Sequence, residues 1–483
     1  MDALLIGLDG GDQSILEAFD MPFVKRLIDR GISYPMNESL LSRGWAEMLT
    51  GMDASENGGL YMTPELDGTP TFMQKYGLTE MTRNPAVRPL WEMLRSRNKS
   101  IGMMNVPTTR PAREIDGFVV SGGGGGVGKI DGIPEDYIYP KDIGPQLQEN
   151  QYVFDLRIHT SGIRDFFELL DRFDDIVKTR ASSYVALAKR FSPDFGFLCF
   201  RVTTGLQYLA RSEIEAIQKE GAPKNDIGAR IWRHYQVLDD AIKTVFEAVN
   251  PNRYLIAGDH GTAPHLFSVN PDAFLMEHGW LAKNRASASI IKGILRQVKG
   301  WIPYSIRSNL RKKAAKTIHT TLGRFDIANT NAFGVFRVPG IYINDTPRFG
   351  GPVAADHIDD LVDAICAAFN GDERCRKHTM RAIPYRRNFA NTFYYDGLPD
   401  IRIVAPDTML FTTVGGFIEQ NESYGPISVL LSNLRTGLFG CHPICCVDKE
   451  TASFREEDDP DDLRLVYRFI ERMYPDETRS APK

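Results

Sequence analysis

The sequence predicts an α/β fold with a mostly parallel central sheet and helices on both of its faces. Two continuous apolar runs, residues 3–8 and 254–258, have the pattern of strands that are covered on both faces. Predicted strands alternate with predicted helices, which is how parallel strands are connected. The 483 residues, 42% of them hydrophobic and 25% charged, have an ordinary globular composition and suffice for a large core with insertions.

The first half of the chain supplies most of the predicted sheet. Apolar residues at helical spacing, such as Ile231, Tyr235 and Leu238, indicate a long helix, and short apolar runs before glycine indicate strands. The predicted helices span residues 23–28, 45–49, 89–94, 163–190 and 227–249. The predicted strands span residues 3–8, 101–106, 118–120, 195–202 and 254–258.

The second half continues the alternation. We predict strands at residues 340–344 and 399–404, and helices at residues 356–369 and 461–473. Three of the six cysteines cluster at 441–446, but a zinc site would need a second such cluster. Cys445 and Cys446 therefore read as part of a buried strand, and no disulfide framework is expected.

Charge and hydropathy exclude several classes of protein. The net charge of −5 gives no case for nucleic-acid binding, and no apolar run approaches the ~20 residues of a membrane span. Because the first predicted strand begins at Ala3, we expect no secretory signal before it. We expect a cytoplasmic protein with reduced thiols.

One segment, residues 283–324, differs from the rest of the chain, with eleven Lys or Arg and no Asp or Glu. We predict that residues 1–282 and 325–483 form the α/β core and that 283–324 forms a basic helical insert. Ile290, Ile294 and Val298 lie on one helical face, a pattern typical of peripheral contact with a membrane or a protein. The alternative is a solvated cap that packs on the main domain.

Five consecutive glycines, 122–126, follow the predicted strand at 118–120. A glycine run after a strand can bind phosphate through its backbone N–H groups, which makes Gly124 a candidate for substrate binding. The spacing is not that of a P-loop or a dinucleotide fingerprint. A surface loop is the alternative.

Acidic residues follow directly on the two most apolar predicted strands. Asp9 ends the first, and Asp259 with His260 ends the second. Ligands of parallel sheets bind beyond the carboxyl ends of the strands, and two carboxylates with an imidazole suit Zn or Mn. The alternative is two turn aspartates and a neutral histidine.

The order of these elements resembles the alkaline phosphatase superfamily, most nearly its type I phosphodiesterase and nucleotide pyrophosphatase branch with the predicted phosphohydrolase/phosphomutase members. The matching pieces cover most of the chain. They are Gly7-Leu8-Asp9-Gly10, Trp45-Ala46-Glu47-Met48-Leu49-Thr50-Gly51, Pro89-Leu90-Trp91-Glu92-Met93-Leu94, Gly102-Met103-Met104-Asn105-Val106-Pro107, Asp259-His260-Gly261, Ile341-Tyr342-Ile343-Asn344 and Leu398-Pro399-Asp400.

The resemblance implies two divalent ions. It assigns Asp9, Asp259 and His260 to one ion and His442, in Gly440-Cys441-His442, to the other. The family's Thr-Asp pair, with a His four residues beyond the Asp, reads here as Thr203-Thr204 with Tyr208. Neutral side chains replace a carboxylate and an imidazole, so we expect one firm ion and a second site that is lost or weakened.

The family's nucleophile falls on Leu41 in this chain. Ser42 is one residue later, at the start of a predicted helix whose unpaired N–H groups favour a phosphate. We consider Ser42 as the catalytic nucleophile, or alternatively as the cap of that helix. Arg43, Asn105 and Gly124 are the candidates for substrate binding.

Three functions fit these observations. The first is a metal-dependent hydrolase of a phosphodiester or phosphomonoester, which attacks through Ser42 or water. The second is a degenerate relative that binds an anionic ligand or a protein without hydrolysis, as the departures at Leu41, Thr204 and Tyr208 favour. The third is a transferase or lyase of a biosynthetic pathway, built on the same pocket. Fold alone cannot decide among them.

Overall fold

The structure is a computed structural model that describes residues 1–75, 77, 81–122, 132–154, 163–284, 324–425 and 436–476, with the backbone alone for 163–165. The described residues divide into two compact units. The first unit comprises Met1–Gly59, Tyr76–His265 and Glu422–Lys483, and the second comprises Leu60–Lys75 and Leu266–Asn421. No helix in the described ranges has both the length and the apolarity to span a membrane.

The elements follow in chain order. The strands are β1 (Ala3–Leu8), β2 (Ile32–Ser33), β3 (Thr63–Pro64), β4 (Phe72–Met73), β5 (Ile101–Met104), β6 (Gly117–Val120), β7 (Ile138–Tyr139), β8 (Phe195–Phe200), β9 (Arg253–Gly258), β10 (Gly261–Pro264), β11 (Phe267–Val269), β12 (Ala332–Gly334), β13 (Gly340–Ile343), β14 (Arg381–Pro384), β15 (Ile401–Val404), β16 (Met409–Phe411), β17 (Ile418–Gln420), β18 (Gly437–Gly440) and β19 (Cys445–Val447).

The helices alternate with these strands. They are α1 (Gln13–Ala18), α2 (Pro22–Arg30), α3 (Gly44–Thr50), α4 (Ala54–Asn57), α5 (Leu90–Arg95), α6 (Gly144–Glu149), α7 (Ile163–Phe191), α8 (Val202–Glu220), α9 (Asp226–Val249), α10 (Pro271–Glu277), α11 (Thr346–Phe349), α12 (Ile358–Gly371), α13 (Glu373–Lys377), α14 (Lys449–Ala452) and α15 (Arg464–Met473). Short 3-10 helices lie at Glu135–Tyr137, Lys141–Ile143, Ile327–Asn329, Ala355–His357, Arg386–Phe389 and Tyr395–Gly397.

An eight-stranded sheet forms the centre of the first unit, in the order β2-β19-β9-β1-β8-β5-β6-β7. The five strands from β9 to β6 are parallel, whereas β19 and β7 pair antiparallel at the two sides. This confirms the mostly parallel sheet that the sequence predicts. The chain reaches β19 last, and the buried strand predicted around Cys445 lies there.

Both faces of the central sheet are buried, because successive side chains of a strand point to opposite faces. Leu4 and Ile6 pack into one apolar cluster, which includes residues of α7 and α9. Leu5 packs into a second cluster on the other face, with residues of α3, α5 and α15. The continuous apolar run of β1 is therefore the sequence of a strand covered on both sides.

The second unit contains smaller sheets: β12-β13-β15-β14, which is antiparallel, β16-β11-β17, and the pair β3-β4. A buried ion network lies in this unit. The Arg348 guanidinium donates to Asp345 and to Asp400 at 2.6 Å each, and Arg386 donates to Asp400 at 2.7 Å. The Asp400 carboxylate also accepts from the Ile343 N–H at 2.7 Å, which connects β13 to the network.

The long elements agree with the sequence prediction to within a few residues. The helices predicted at 163–190 and 227–249 are Ile163–Phe191 and Asp226–Val249. The predicted basic insert falls almost entirely on residues 285–323, outside the described residues, as does Gly124 of the glycine run. Those predictions therefore stay predictions.

Candidate active site

Three neighbouring parallel strands end side by side in charged residues. Leu8 at the end of β1 pairs with Phe200 of β8 on one side and with Gly258 of β9 on the other. The next residue on each strand is Asp9, Arg201 and Asp259. The strand register alone thus produces a row of charged side chains at the carboxyl edge, where parallel sheets bind ligands.

Asp9, Asp259 and His260 converge as the sequence predicts. One ligand atom from each lies within 4.8 Å of the others, and all three residues are buried. The Nε2 atom of His260 is 3.9 Å from Asp9 Oδ1 and 3.7 Å from Asp259 Oδ2. Ligand atoms about 2.1 Å from a tetrahedral zinc ion lie roughly 3.4 Å apart, so the three side chains fit one ion after a small contraction.

Local bonds fix the orientation of these ligands. His260 Nδ1 is 2.7 Å from the Gly261 carbonyl oxygen, which assigns the proton to Nδ1 and leaves Nε2 facing the carboxylates. The His260 ring also packs against Phe439, with 3.8 Å between ring centroids. Asp259 Oδ1 accepts from the N–H of Gly10 at 3.0 Å, where φ is +69°, a left-handed conformation that glycine adopts readily.

The electrostatics of the group also favour a cation. Burial and the negative charge of Asp9 together raise the pKa of Asp259 to about 7, against the opposing effect of His260. The two buried carboxylates of Asp9 and Asp259 repel each other, and a proton or a cation between them removes this repulsion. A divalent ion would replace that proton.

Arg201 is a site residue that the sequence analysis missed. Its Nε atom donates to Asp9 Oδ2 at 3.2 Å, and both side chains are at most 10% exposed. Thr203 Oγ1 donates to the backbone carbonyl of Asp9 in the same region. A charged residue directly after the apolar strand β8 is the signal that could have identified Arg201, because the same signal identifies Asp9.

Ser42 and Arg43 are buried just before α3. The alternative in which Ser42 caps this helix is wrong: the N-cap residue is Arg43, and no capping hydrogen bond from a side chain is found there among the described residues. Ser42 Oγ instead accepts from the N–H of Ala54 at 2.9 Å. Gly44, which follows Arg43, packs closely against Asp259, since a Cβ there would collide with the carbonyl oxygen of Asp259.

Asn105 lies at the same edge of the sheet, directly after β5. It is fully buried with φ of +59°, and its Nδ2 donates to the Cys199 carbonyl at 3.2 Å. Its Oδ1 has no hydrogen-bond partner among the described residues. A buried amide oxygen without a partner is uncommon in folded proteins, so this atom suits a ligand or water that donates a proton.

His442 lies outside the group formed by Asp9, Asp259 and His260, which are the candidate metal ligands. It is exposed, and its Nδ1 is 2.8 Å from the Met36 carbonyl. Thr204 and Tyr208, at the positions where the resemblance expects metal ligands, lie on α8. Within the described part of the chain Thr204 Oγ1 has no hydrogen-bond partner, and the Tyr208 ring packs 5.6 Å from that of Phe439.

A second pair of buried acids, Glu38 and Glu47, was also missed. The two side chains are hydrogen-bonded to each other, and Glu38 also accepts from the N–H of Leu463 at 2.9 Å. Burial raises the pKa of Glu38 to about 7, and burial together with the charge of Glu38 raises the pKa of Glu47. The local sequence gives no signal for this pair, because the two residues and Leu463 come from separate segments.

Comparison with solved structures identifies the fold. Phosphonoacetate hydrolase from Sinorhizobium meliloti 1021, in complex with phosphonoformate, matches with a TM-score of 0.52 at 12% identity, covering 98% of this chain and 96% of that one. Its complex with phosphonoacetate gives a TM-score of 0.51 with the same identity and coverage. The chain has the alkaline phosphatase fold.

Murine ectonucleotide pyrophosphatase/phosphodiesterase 5, in complex with AMP, is also similar to this chain, with a TM-score of 0.49 at 12% identity, covering 98% of this chain and 95% of that one. No protein-family profile matches the sequence. No curated protein matches it either.

Proposed function

We propose that the chain is a metal-dependent hydrolase of a phosphate ester, with one divalent ion, Zn or Mn, held by Asp9, Asp259 and His260. The observation that carries the proposal is the buried convergence of these three side chains at the carboxyl edge of the sheet. The fold supports it, because phosphonoacetate hydrolase with the same fold binds phosphonoacetate and phosphonoformate, which are small phosphorus-containing anions.

The ion and the residues of the site have separate roles in the proposed reaction. When bound, the ion would supply Lewis acidity toward a phosphoryl oxygen and lower the pKa of water. Ser42 Oγ, or water, attacks phosphorus and forms the new P–O bond as the bond to the ester oxygen breaks; the proton of the nucleophile passes to solvent, and the ester oxygen takes up a proton and leaves as an alcohol. Where Ser42 attacks, water then breaks the bond between phosphorus and Ser42 Oγ and releases the phosphate product. Arg43, Asn105 and the glycine run that contains Gly124 are the proposed substrate contacts, with Asn105 offering its unpartnered Oδ1 to a hydroxyl or water.

One observation favours the alternative of a binding protein without turnover. The candidate nucleophile Ser42 is buried and already accepts a hydrogen bond from Ala54, and no base is assigned to it. A transferase or lyase is the further alternative for the same group of side chains. Measured turnover separates these functions from hydrolysis.

The test measures metal content and hydrolysis in the same preparations. We expect about one Mn or Zn per chain by elemental analysis of protein purified without chelator, and hydrolysis of bis(p-nitrophenyl) phosphate or p-nitrophenyl phosphate that chelation abolishes. Asp9→Asn and Asp259→Asn should lose both the ion and the activity. Asp29→Asn, which changes an exposed carboxylate on α2, is the matched control. An ion that remains bound after both site substitutions would contradict the assignment.

A further inference from the structure

The carboxylate of Asp9 has a different partner on each oxygen. Oδ1 is on the side of His260, 3.9 Å from Nε2, and Oδ2 is 3.2 Å from the Nε atom of Arg201. Asp9 follows β1, and its two partners come from the loop after β9 and from the residue that precedes α8. Asp9 is therefore shared between the metal-ligating group and a fixed cation.

The guanidinium is a permanent charge in this place. Arginine stays protonated throughout the range in which proteins fold, and its side chain here is only 10% exposed. A buried cation of this kind is stable when a carboxylate compensates it, and breaking such a pair leaves an uncompensated buried charge. The Asp9 Oδ2 atom is thus engaged whether or not an ion is present.

The residues that follow Arg201 are neutral. Thr203 donates to the Asp9 carbonyl, and Thr204 and Tyr208 carry no carboxylate or imidazole toward this side. A second divalent ion at Oδ2 would have to displace a guanidinium without gaining a charged ligand from α8. The positive charge beside Asp9 Oδ2 is therefore that of the Arg201 guanidinium and not that of a second metal ion.

We infer that Arg201 is a built-in cation of the site, which occupies the second oxygen of Asp9, limits the site to one divalent ion and adds a fixed positive charge for an anionic ester. The inference deepens the proposed function and rests on it for the nature of the ligand. With two carboxylates, one divalent ion and one guanidinium, the loaded site has a net charge of +1, which suits a phosphate ester.

The charge of Arg201 should also weaken metal binding, because it repels the ion and competes for Asp9. We expect Arg201→Gln to bind Mn²⁺ at least about tenfold more tightly than the unmodified chain, or to bind a second ion. Arg201→Lys, which keeps the charge, should bind one ion with an affinity within about threefold of the unmodified chain. Isothermal titration with Mn²⁺ and elemental analysis measure both quantities.

The matched control is Arg230→Gln. Arg230 pairs with Asp174 at 2.8 Å in the same unit, with both side chains at most 12% exposed, so it reproduces the loss of a buried arginine away from the site. Its metal affinity should not change. A structural effect common to any lost Arg–Asp pair would change both Gln variants alike, and that result would overturn the inference.

The remaining outcomes are also decisive. Arg201→Gln that binds one ion no more tightly than the unmodified chain overturns the inference, as does a variant that stays unfolded at saturating Mn²⁺. A variant that folds only with Mn²⁺ supports it, because the ion then replaces the missing charge. These readouts need no substrate, so the inference can hold in a protein that shows no hydrolysis. If neither the unmodified chain nor Arg201→Gln binds an ion, both proposals fail.

Discussion

The hydrogen bond from Ala54 to Ser42 gives this serine two roles that substitutions can separate. The bond uses a lone pair of Oγ and leaves the hydroxyl proton for another partner. A nucleophile held in this way has a fixed position, which is the condition for attack on a bound ester. A purely structural serine would use the same bond only to hold α4 near the start of α3.

We predict that Ser42→Ala lowers the rate of phosphodiester hydrolysis by at least about a hundredfold while the fold is retained. The matched variant is Ala54→Pro, which removes the N–H donor but keeps the Ser42 hydroxyl. Ala54 is the first residue of α4, where proline is well tolerated, and the preceding Asp53 is already extended. Steady-state kinetics and circular dichroism measure the two effects.

Activity that survives in Ala54→Pro and not in Ser42→Ala would identify the hydroxyl as the nucleophile. Equal losses in both variants would assign Ser42 a positioning role. Full activity in Ser42→Ala would point to attack by water.

The sequence was sufficient to find Asp9, Asp259 and His260 because each follows a continuous apolar strand, and adjacent parallel strands bring their ends together. Arg201 has the same local signal, a charged residue directly after an apolar strand, but its pairing with Asp9 depends on the register between β1 and β8, which the sequence did not give. The sequence was also insufficient to predict the hydrogen-bond partner of Ser42. Its partner Ala54 lies twelve positions away, beyond the reach of a capping pattern.

At the scale of elements, the buried acids Glu38 and Glu47 connect α3 to the start of α15. The pKa of Glu38 is raised to about 7 from the ordinary 4.5, mainly by burial. The folded chain therefore holds this proton more tightly than the unfolded chain does. As the pH rises from about 4.5 to about 7, the unfolded state loses the proton first and stability falls.

We predict that the free energy of unfolding of the metal-free protein decreases between pH 5 and pH 8, and that Glu38→Gln reduces this decrease by on the order of 3 kcal/mol. Glutamine keeps the shape and the acceptor for the Leu463 N–H but cannot ionise. Urea unfolding at several pH values with a chelator present measures the change. Glu17→Gln, at an exposed position of α1, is the control, and an identical pH dependence in the two variants would contradict the prediction.

In the second unit, Arg348 holds strands and a turn together through buried bonds. It donates to Asp345 and Asp400, and also to the carbonyl oxygens of Ile343 and Leu398. Removing one member of such a network leaves buried carboxylates without a partner. The network therefore has a larger effect on stability than ion pairs at the surface.

We predict that Arg348→Met destabilises the protein by about 3–5 kcal/mol. The control is Arg387→Met, since Arg387 pairs with Asp363 at 3.1 Å but both side chains are largely exposed. The control should cost less than about 1 kcal/mol. Chemical denaturation of the two variants side by side gives both values, and comparable losses would show that the buried network adds no special stability.

The elements themselves were predictable where their periodicity is long. The helix over Asp226–Val249 repeats its apolar residues through six turns, and β1 is apolar throughout. Most of the strands of two or three residues, such as β2 and β17, were not predicted, whereas β19 was predicted from its apolar residues. Segments this short contain too few residues to show the alternating pattern of a strand. They form strands because they hydrogen-bond to the edge of a neighbouring strand.

At the scale of the whole molecule, charge is distributed unevenly. Residues 283–324 contain eleven of the 57 Lys and Arg, so the rest of the chain has 46 basic against 62 acidic residues, a net charge of −16. A basic segment on an acidic chain attracts anionic ligands, substrates or lipid surfaces, and salt weakens the attraction.

We predict that replacing Arg311, Lys312 and Lys313 by Gln weakens binding of anionic ligands or anionic vesicles at low salt, and that the difference disappears at high ionic strength. Vesicle sedimentation with and without anionic lipid tests the membrane version, and substrate affinity tests the version in which the segment borders the pocket. Unchanged affinity in both assays would remove the electrostatic role altogether.

The pairing of β19 with β9 has a consequence for how the protein is made. The strand that carries Asp259 at its end is synthesised long before its neighbour Cys445–Val447, so until then one edge of the parallel sheet presents unpaired N–H and C=O groups. A nascent chain halted before residue 445 would expose that edge and associate with other chains through it. The ribosome, chaperones and translation speed would therefore influence how much protein acquires the complete central sheet.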